Sequence, residues 1–496
     1  MQKSTNLSAY SAFLSGLNGR FGDFLPKKVE RFDDLTDISD AGGRTVRWIL
    51  ALAIICAMWV VCQSMPELGR FYRSLLETGT GTAYVIFGKW LFITYTGVFL
   101  WRLYLVARYK PAEACSDAEL LSCTVIVPAY NEGRQVLHTL RSVVRSDMPA
   151  DKLQIIAVDD GSKDDTWRWI QKAVQRFPNR IEAIRMPQNG GKRKALNEGF
   201  LRSRGDIIVT IDSDSLIEKH TIRRLISPFS RDERVGAVAG CVRVLNLHQG
   251  LIPRLLDVAF AFTFDFHRAS QSQVDSVICT PGALSAYRRK PLMDNLSAWL
   301  NQTFMGRHST IGEDRAMTNF ILKDGYSVKF QSDAIVYTNV PTRYKQLCKM
   351  LLRWARSNVR ETIFMATFVF KKFRAFHRTG ARINFMTCLM DTAFPRLPLA
   401  VGAMCLFGRP DLWAVKLLIG ALIAVAVQGG FYFLRRRSID ALWAFPYSIF
   451  SALALSWIAP YAILTAANGS WMTREIVQTD HPQPKKNAGN VTAAAA

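Results

Sequence analysis

The sequence predicts an α/β protein, a largely parallel sheet with helices on both faces, set in the cytosol between N-terminal and C-terminal transmembrane helices. Three observations predict it. Short β-branched runs alternate with helical patterns through the middle of the chain, as in strand–helix–strand units. Polar, carboxylate-rich clusters fall where those runs end, and ligands of such sheets bind beyond the carboxyl ends of the strands. Apolar runs of about 20 residues or more, enough to cross a bilayer, lie at both ends of the chain.

The composition narrows the partners. The chain has 496 residues, room for one sizeable soluble domain and other material. It carries 63 Lys+Arg against 40 Asp+Glu, a net charge of +23. That balance suits either nucleic acid or the anionic cytoplasmic face of a membrane. The basic residues flank apolar runs and no nucleic-acid motif occurs, so the expected partner is the lipid bilayer and not nucleic acid. The nine cysteines lack Cys-x-x-Cys spacing and several sit in apolar runs, which argues for buried thiols. The seven histidines form no metal-ligand pattern.

Taken in order, residues 1–45 read as a polar cytosolic leader, and no cleavable signal peptide is expected because the first apolar run begins only near Val46. Residues 46–107 hold two expected spans, 46–65 and 83–106, the second containing Lys89 and the two separated by a polar stretch with Arg70 and Arg73. Residues 111–342 form the soluble domain. Its expected strands are 123–128, 154–159, 181–185 and 207–212, with helices such as 133–145 and 166–176 between them. Residues 251–267 and 344–372 mix apolar and aromatic side chains with charges, as helices lying in the membrane interface do. The second belongs to an interface region spanning 343–382. Residues 383–467 form a C-terminal membrane region with apolar runs at 383–407, 412–434 and 441–467. Basic clusters at 371–382 and 435–437 bracket the first two runs, which puts both clusters in the cytoplasm. The third run contains Pro446 and Pro460 and reads equally as a span or as a broken, re-entrant element. Residues 468–496 form a loop and tail, the last part expected to be disordered.

Chemistry concentrates at the strand ends. Asp206–Asp214 reads Asp-Ile-Ile-Val-Thr-Ile-Asp-Ser-Asp, so Asp212 and Asp214 are expected to leave a strand together. Two close carboxylates are costly unless a cation neutralises them, and hard divalent ions shared with phosphates do so. The stretches Val-Ile-Val-Pro-Ala-Tyr-Asn-Glu (125–132) and Val-Asp-Asp-Gly-Ser-Lys-Asp-Asp (158–165) end two further strands in acidic turns. Each alone reads as well as a helix N-cap. Asn189-Gly190-Gly191-Lys192-Arg193-Lys194 is a glycine turn with cations before a helix, suited to a diphosphate. Gly312-Glu313-Asp314-Arg315 supplies a carboxylate able to act as a general base.

In this order the pieces resemble the membrane-embedded, inverting family 2 glycosyltransferases of the hyaluronan, chitin-oligosaccharide (nodulation) and cellulose synthase group, over residues 123–361. Arg268-Ala269-Ser270-Gln271-Ser272 is similar to their Arg-Ala-x-Gln-Ser. Cys279-Thr280-Pro281-Gly282-Ala283-Leu284-Ser285-Ala286-Tyr287-Arg288 is similar to their Cys-x-x-Gly-Pro-Leu-x-x-Tyr-Arg, with Ala283 for proline. Trp471-Met472-Thr473-Arg474 resembles their Trp-Gly-Thr-Arg loop, and Arg353-Trp354 the end of their Gln-x-x-Arg-Trp element.

The resemblance implies a GT-A-like (Rossmann-like) domain and a set of roles. Tyr130, Glu132, Asp159 and Asp160 would hold uridine. Lys192 and Arg193 would contact diphosphate, with Trp471, Thr473 and Arg474 closing over the nucleotide. Asp212 and Asp214 would hold Mg²⁺ or Mn²⁺. Asp314 would be the base, Arg353 would neutralise the leaving diphosphate, and Trp354 would stack on the acceptor, beside Cys279 and Gly282. The implied activity is processive polymerisation of a UDP-sugar, UDP-GlcNAc alone or with UDP-GlcA, into a β-linked glycan secreted across the membrane. Competing expectations are a single-sugar transfer to a lipid-linked acceptor and a non-catalytic nucleotide-binding export subunit. One departure stands out: the glutamine expected three residues before Arg353 is Met350, whose thioether cannot replace an amide's hydrogen bonds.

Overall fold

The computed structural model describes residues 32–393 and 409–468. The described residues divide into two compact units, one comprising 32–74 and 409–449, the other 75–393 and 450–468.

The larger unit is built on an eight-stranded sheet, β3-β2-β1-β4-β7-β6-β10-β5. The strands are β1 (Cys123–Ala129), β2 (Leu153–Asp159), β3 (Glu182–Arg185), β4 (Ile207–Ile211), β5 (Ser215–Ile217), β6 (Val235–Val244), β7 (Leu284–Arg288) and β10 (Ser327–Thr338). A separate two-residue hairpin supplies β8 (Thr303–Phe304) and β9 (Arg307–His308). The first four strands pair in parallel, as the β-branched runs predict. The other half departs from the expected parallel pattern. β7 runs antiparallel to both β4 and β6, and β5 antiparallel to β10, so the sheet is mixed.

Alternation along the strands sorts side chains into two cores. Val125, Val127, Ile155, Val209 and Ile207 share one face with Leu140, Val143, Ile170 and Leu225 of the overlying helices. Ile126, Ile156, Val158 and Ile208 face the other way, onto Leu196, Phe200, Trp299 and Phe320. Central strands buried on both faces explain why β1, β2 and β4 read as continuous apolar runs rather than alternating ones.

Three helices are long and apolar enough to cross a membrane: Thr45–Leu76, Gly79–Arg108 and Pro410–Arg436. The first continues through Arg70 and Arg73, the polar stretch expected to separate the two spans, and the interruption falls at Glu77-Thr78. The run 441–467 is broken, with Ile439–Ala454 and Ile458–Leu464 bent by 43°. Pro460 lies in the first turn of the later helix, where its missing N–H costs nothing, and it cannot continue the earlier one. Of the run 383–407, only the part within Arg378–Ala393 is described, and it is helical. Arg102 of Gly79–Arg108 is buried and donates to His267 Nδ1 and Thr387 Oγ1, both at 2.7 Å, tying that helix to the helices His267–Ser272 and Arg378–Ala393.

Candidate active site

The site forms at the carboxyl ends of β1, β2 and β4, where the chain leaves the sheet in tight turns. After β1, the N–H of Asn131 donates to Ser162 Oγ (3.0 Å) and that of Glu132 to Thr166 Oγ1 (2.9 Å). The two acidic turns are therefore one unit, with Tyr130 buried and Glu132 half-buried at its rim. Asp159 is fully buried, accepts the Ser162 N–H (3.1 Å) and lies 3.5 Å from Arg185. Asp160, expected on uridine, turns its two oxygens to the N–H groups of Gly190 (2.7 Å) and Gly191 (2.9 Å). It shapes the glycine turn that starts the helix Lys192–Arg202.

The two cations of that turn diverge. Lys192 Nζ reaches Asp212 Oδ1 at 2.5 Å and Glu313 Oε1 at 3.1 Å. Burial alone would lower its ammonium, but Asp212, Glu313 and Asp314 together push it up, so it stays charged. Arg193 does not accompany it, contrary to the expected contact with diphosphate. Its guanidinium is buried, donates to the Trp299 carbonyl (2.6 Å) and lies 5.0 Å from the Trp299 ring. A consecutive pair at a helix start projects in directions about 100° apart, so only one can face the ligand.

Asp212 and Asp214 lie in the turn between β4 and β5 rather than on one strand, both half-buried. Asp214 Oδ1 accepts from Ser215 Oγ (3.3 Å) and Thr338 Oγ1 (3.4 Å). Among the described residues no group of three or more His, Cys, Asp or Glu side chains gathers as a metal cage. A carboxylate pair fits a divalent ion whose remaining ligands are phosphate oxygens and water. The ammonium of Lys192 on Asp212 already marks that carboxylate as a cation partner.

Asp314 is the second residue of the helix Glu313–Lys323, which is capped by Gly312 in the left-handed region (φ 77°). A side chain at Gly312 would collide with Ser357 Oγ, 1.7 Å from where its Cβ would stand, so only glycine lets this helix start against the helix Tyr344–Ala366. Asp314 accepts N–H groups from Gly282 (3.0 Å) and Arg315 (2.7 Å). Gly282 is the meeting point: a Cβ there would stand 2.8 Å from Lys192 Nζ, 3.6 Å from Asp212 Oδ2 and 3.7 Å from Asp314 Oδ2. Residues as far apart in sequence as Lys192 and Asp314 thus converge on one backbone position.

Electrostatics separates the adjacent carboxyls. Burial would raise Glu313, but Lys192 and Arg353 outweigh it and hold it down at about 2. Burial, then the Glu313 charge, push Asp314 above the ordinary aspartate range, with Lys192 opposing. Burial, then Asp314, push the neighbouring Cys279 thiol up to about 12, so it is a neutral wall of the site. Glu313 carries a role that the sequence reading did not assign, although the Gly-Glu-Asp-Arg motif contained it.

Arg353 and Trp354 lie half-buried on Tyr344–Ala366. Trp354 sits among aromatic rings, 6.1 Å from Phe260 and 6.4 Å from Phe264. Met350 packs against the core beside it, while Gln346 is exposed. Trp471, Thr473 and Arg474 lie outside the described residues.

A mixed sheet with acidic turns at its carboxyl edge and a carboxylate held opposite them defines a GT-A-like transferase. Residues 122–357 match the family described as glycosyltransferase like family 2. An N-acetylglucosaminyltransferase of Rhizobium meliloti is 34% identical over 316 residues, covering 62% of this chain and 73% of that protein. A hyaluronan synthase of Streptococcus pyogenes serotype M3 is 32% identical over 320 residues, covering 64% and 72%. Among solved structures, the mannosyltransferase PcManGT of Pyrobaculum calidifontis, in complex with GDP-Man and Mn²⁺, aligns with a TM-score of 0.51 at 22% identity, over 73% of this chain and 97% of that one. The chain belongs to glycosyltransferase family 2 and is a glycosyltransferase.

Proposed function

We propose that this enzyme is an inverting, processive glycosyltransferase that polymerises a UDP-sugar and passes the β-linked product across the membrane in which it sits. The observation that carries the reading is the convergence of Lys192, Asp212 and Asp314 on Gly282. A cation, a metal-binding carboxylate and a base with a raised carboxyl stand within one sugar's width of each other.

In this reading Tyr130, Glu132 and Asp159 line the uridine pocket, and Asp160 acts through the glycine turn it holds. Lys192 faces the diphosphate. Asp212 and Asp214 would hold Mg²⁺ or Mn²⁺, which when bound neutralises charge on that diphosphate. Asp314 takes the proton of the acceptor hydroxyl as its oxygen bonds to the anomeric carbon. The bond from that carbon to the diphosphate breaks, and its electron pair leaves with UDP. Lys192 and Arg353 stabilise the negative charge as it grows. One base on the face opposite the leaving group inverts the centre, so an α-linked donor gives a β-linkage. Trp354, with Phe260 and Phe264 beside it, offers the acceptor sugar an aromatic platform, and Cys279 and Gly282 complete the acceptor side.

The relatives named N-acetylglucosaminyltransferase and hyaluronan synthase make UDP-GlcNAc the leading donor, alone or with UDP-GlcA. Membranes containing the protein, given labelled UDP-sugars singly and in pairs with Mg²⁺ or Mn²⁺, test this. A long product requiring both sugars and cut by hyaluronidase supports a hyaluronan synthase. A product from UDP-GlcNAc alone, cut by chitinase, supports the chitin branch. Short, lipid-extractable label alone overturns processivity. Asp314→Asn should retain UDP binding and lose transfer by at least about 100-fold, since only the base is removed. Near-normal turnover in that variant would exclude Asp314 as the base.

A further inference from the structure

Beneath the site runs a polar link whose members have no part in the chemistry above. Arg193 Nη1 donates to the Trp299 carbonyl and, at 3.2 Å, to Gln302 Oε1. Trp299 Nε1 donates to the Glu313 carbonyl (2.8 Å), one residue before the base. Gln302 Nε2 donates to Glu361 Oε1 at 2.9 Å. Asn319 Nδ2 donates to Glu361 Oε2 and to the Glu361 carbonyl, both at 2.9 Å. Trp299, Asn319 and Glu361 are at most 1% exposed.

The chain of bonds joins three elements that must keep register. Arg193 sits beside Lys192 on the donor-side helix, Asn319 on the helix that begins with the base, and Glu361 on Tyr344–Ala366, eight residues after Arg353. We propose that Glu361 and Gln302 are positioning residues that lock the donor-side helix to the helices carrying the base and the acceptor platform. The inference rests on the transferase reading above. Glu361 also lies beyond the family match at 122–357, so the match itself assigns it nothing.

The polarity of the link is fixed at both ends. Two N–H donors aim at the two Glu361 oxygens, so an ionised carboxylate satisfies both and an amide can satisfy only one. If the amide at position 361 turns its NH₂ toward Gln302, that side chain must flip and present its own NH₂ to Arg193. If it turns toward Asn319, that amide must flip away from the Glu361 carbonyl. The first case sets two donors against each other, and the second sets two acceptors against each other. Burial raises the Glu361 carboxyl, while Asn319, Arg315 and Gln302 pull it back toward the charged form.

The test is made in membranes on the full-length protein with its UDP-sugar donor, after wild-type transfer is shown. Glu361→Gln should accumulate as wild type does and transfer roughly tenfold or more slowly, because small misplacements of reacting groups cost that much. The donor KM should hardly change. Hydrolysis of the UDP-sugar by water should rise as a share of turnover, since water tolerates a displaced acceptor helix and a sugar does not. The double variant Gln302→Glu/Glu361→Gln should recover transfer. Its new carboxylate accepts from Arg193 and from the amide at 361, whose oxygen still accepts from Asn319. Should Glu361→Gln fail to accumulate, Gln302→Ala decides, as a half-buried loop position that leaves Arg193 on the Trp299 carbonyl. It should show the same loss and the same rise in hydrolysis share. Wild-type transfer in Gln302→Ala, or an equal fall in transfer and hydrolysis with no recovery in the double variant, overturns the proposal. Absence of transfer by the wild-type protein would instead overturn the reading beneath it.

Discussion

Glu313 and Asp314 show at residue scale how one backbone turn yields two chemically different carboxyls. Glu313 faces Lys192 and is held ionised, and its charge helps to raise Asp314. A base acts only when deprotonated. Because Asp314 is raised, kcat/KM should fall on acidification at a pH above the ordinary aspartate value of about 4. Glu313→Gln removes the like charge and should move that acid limb to lower pH, whatever happens to the maximal rate. Matching pH–rate profiles for the two proteins would show that the limb belongs to another group. Gly282 gives a second residue-scale prediction. In Gly282→Ala the new methyl would press on Lys192 Nζ, the end of a flexible side chain, so the protein should fold while the ammonium is displaced. Transfer should drop about tenfold or more with normal accumulation, measured on initial rates against protein level. Asp212, Asp314 and Lys192 stood out in the sequence because carboxylates and cations in turns and at helix starts are chemically conspicuous, and the structure brings the three together at Gly282. The divergence of Arg193 onto Trp299 was not, because it depends on a partner 106 positions away.

At the scale of elements, the parallel half of the sheet was readable from β-branched runs buried on both faces, and β1, β2 and β4 begin within one residue of the expected positions. β6, β7, β10 and the short β5 were not anticipated. Antiparallel insertion depends on which edge a later segment finds, and local pattern carries no record of that. The break in the last apolar run was left open because a proline permits either a first-turn position or a kink. Arg102 illustrates a long-range tie between elements that sequence hides. Burial, and then Arg102 itself, hold the His267 ring at about 3, so it is neutral and accepts the guanidinium proton. Arg102→Leu leaves that nitrogen and Thr387 Oγ1 short of a donor. Stability in detergent should fall by about 1–3 kcal/mol, read as the unfolding midpoint. Adding His267→Phe should return part of the loss, since an apolar pair has nothing left unpaired. An unchanged midpoint in Arg102→Leu would mean that packing alone holds these helices together.

For the molecule as a whole, charge and hydropathy make separable claims about membrane attachment. A net charge of +23 would by itself hold the protein to an anionic surface. That attraction is screened within about 3 Å at 1 M salt. The helices Thr45–Leu76, Gly79–Arg108 and Pro410–Arg436, of 32, 30 and 27 residues, make a different claim. At 1.5 Å per residue each exceeds the roughly 30 Å hydrocarbon core, and an α-helix bonds most of its backbone groups within itself. Salt and alkali have no purchase on that attachment. Membranes washed in 1 M salt and then in alkaline carbonate should retain the protein, and detergent alone should release it. Release by salt would make the attachment electrostatic, and release by carbonate after salt would reduce the three helices to surface elements. Either result would remove the membrane path on which a processive, secreting enzyme depends, while leaving the sugar-transfer site at Gly282 intact.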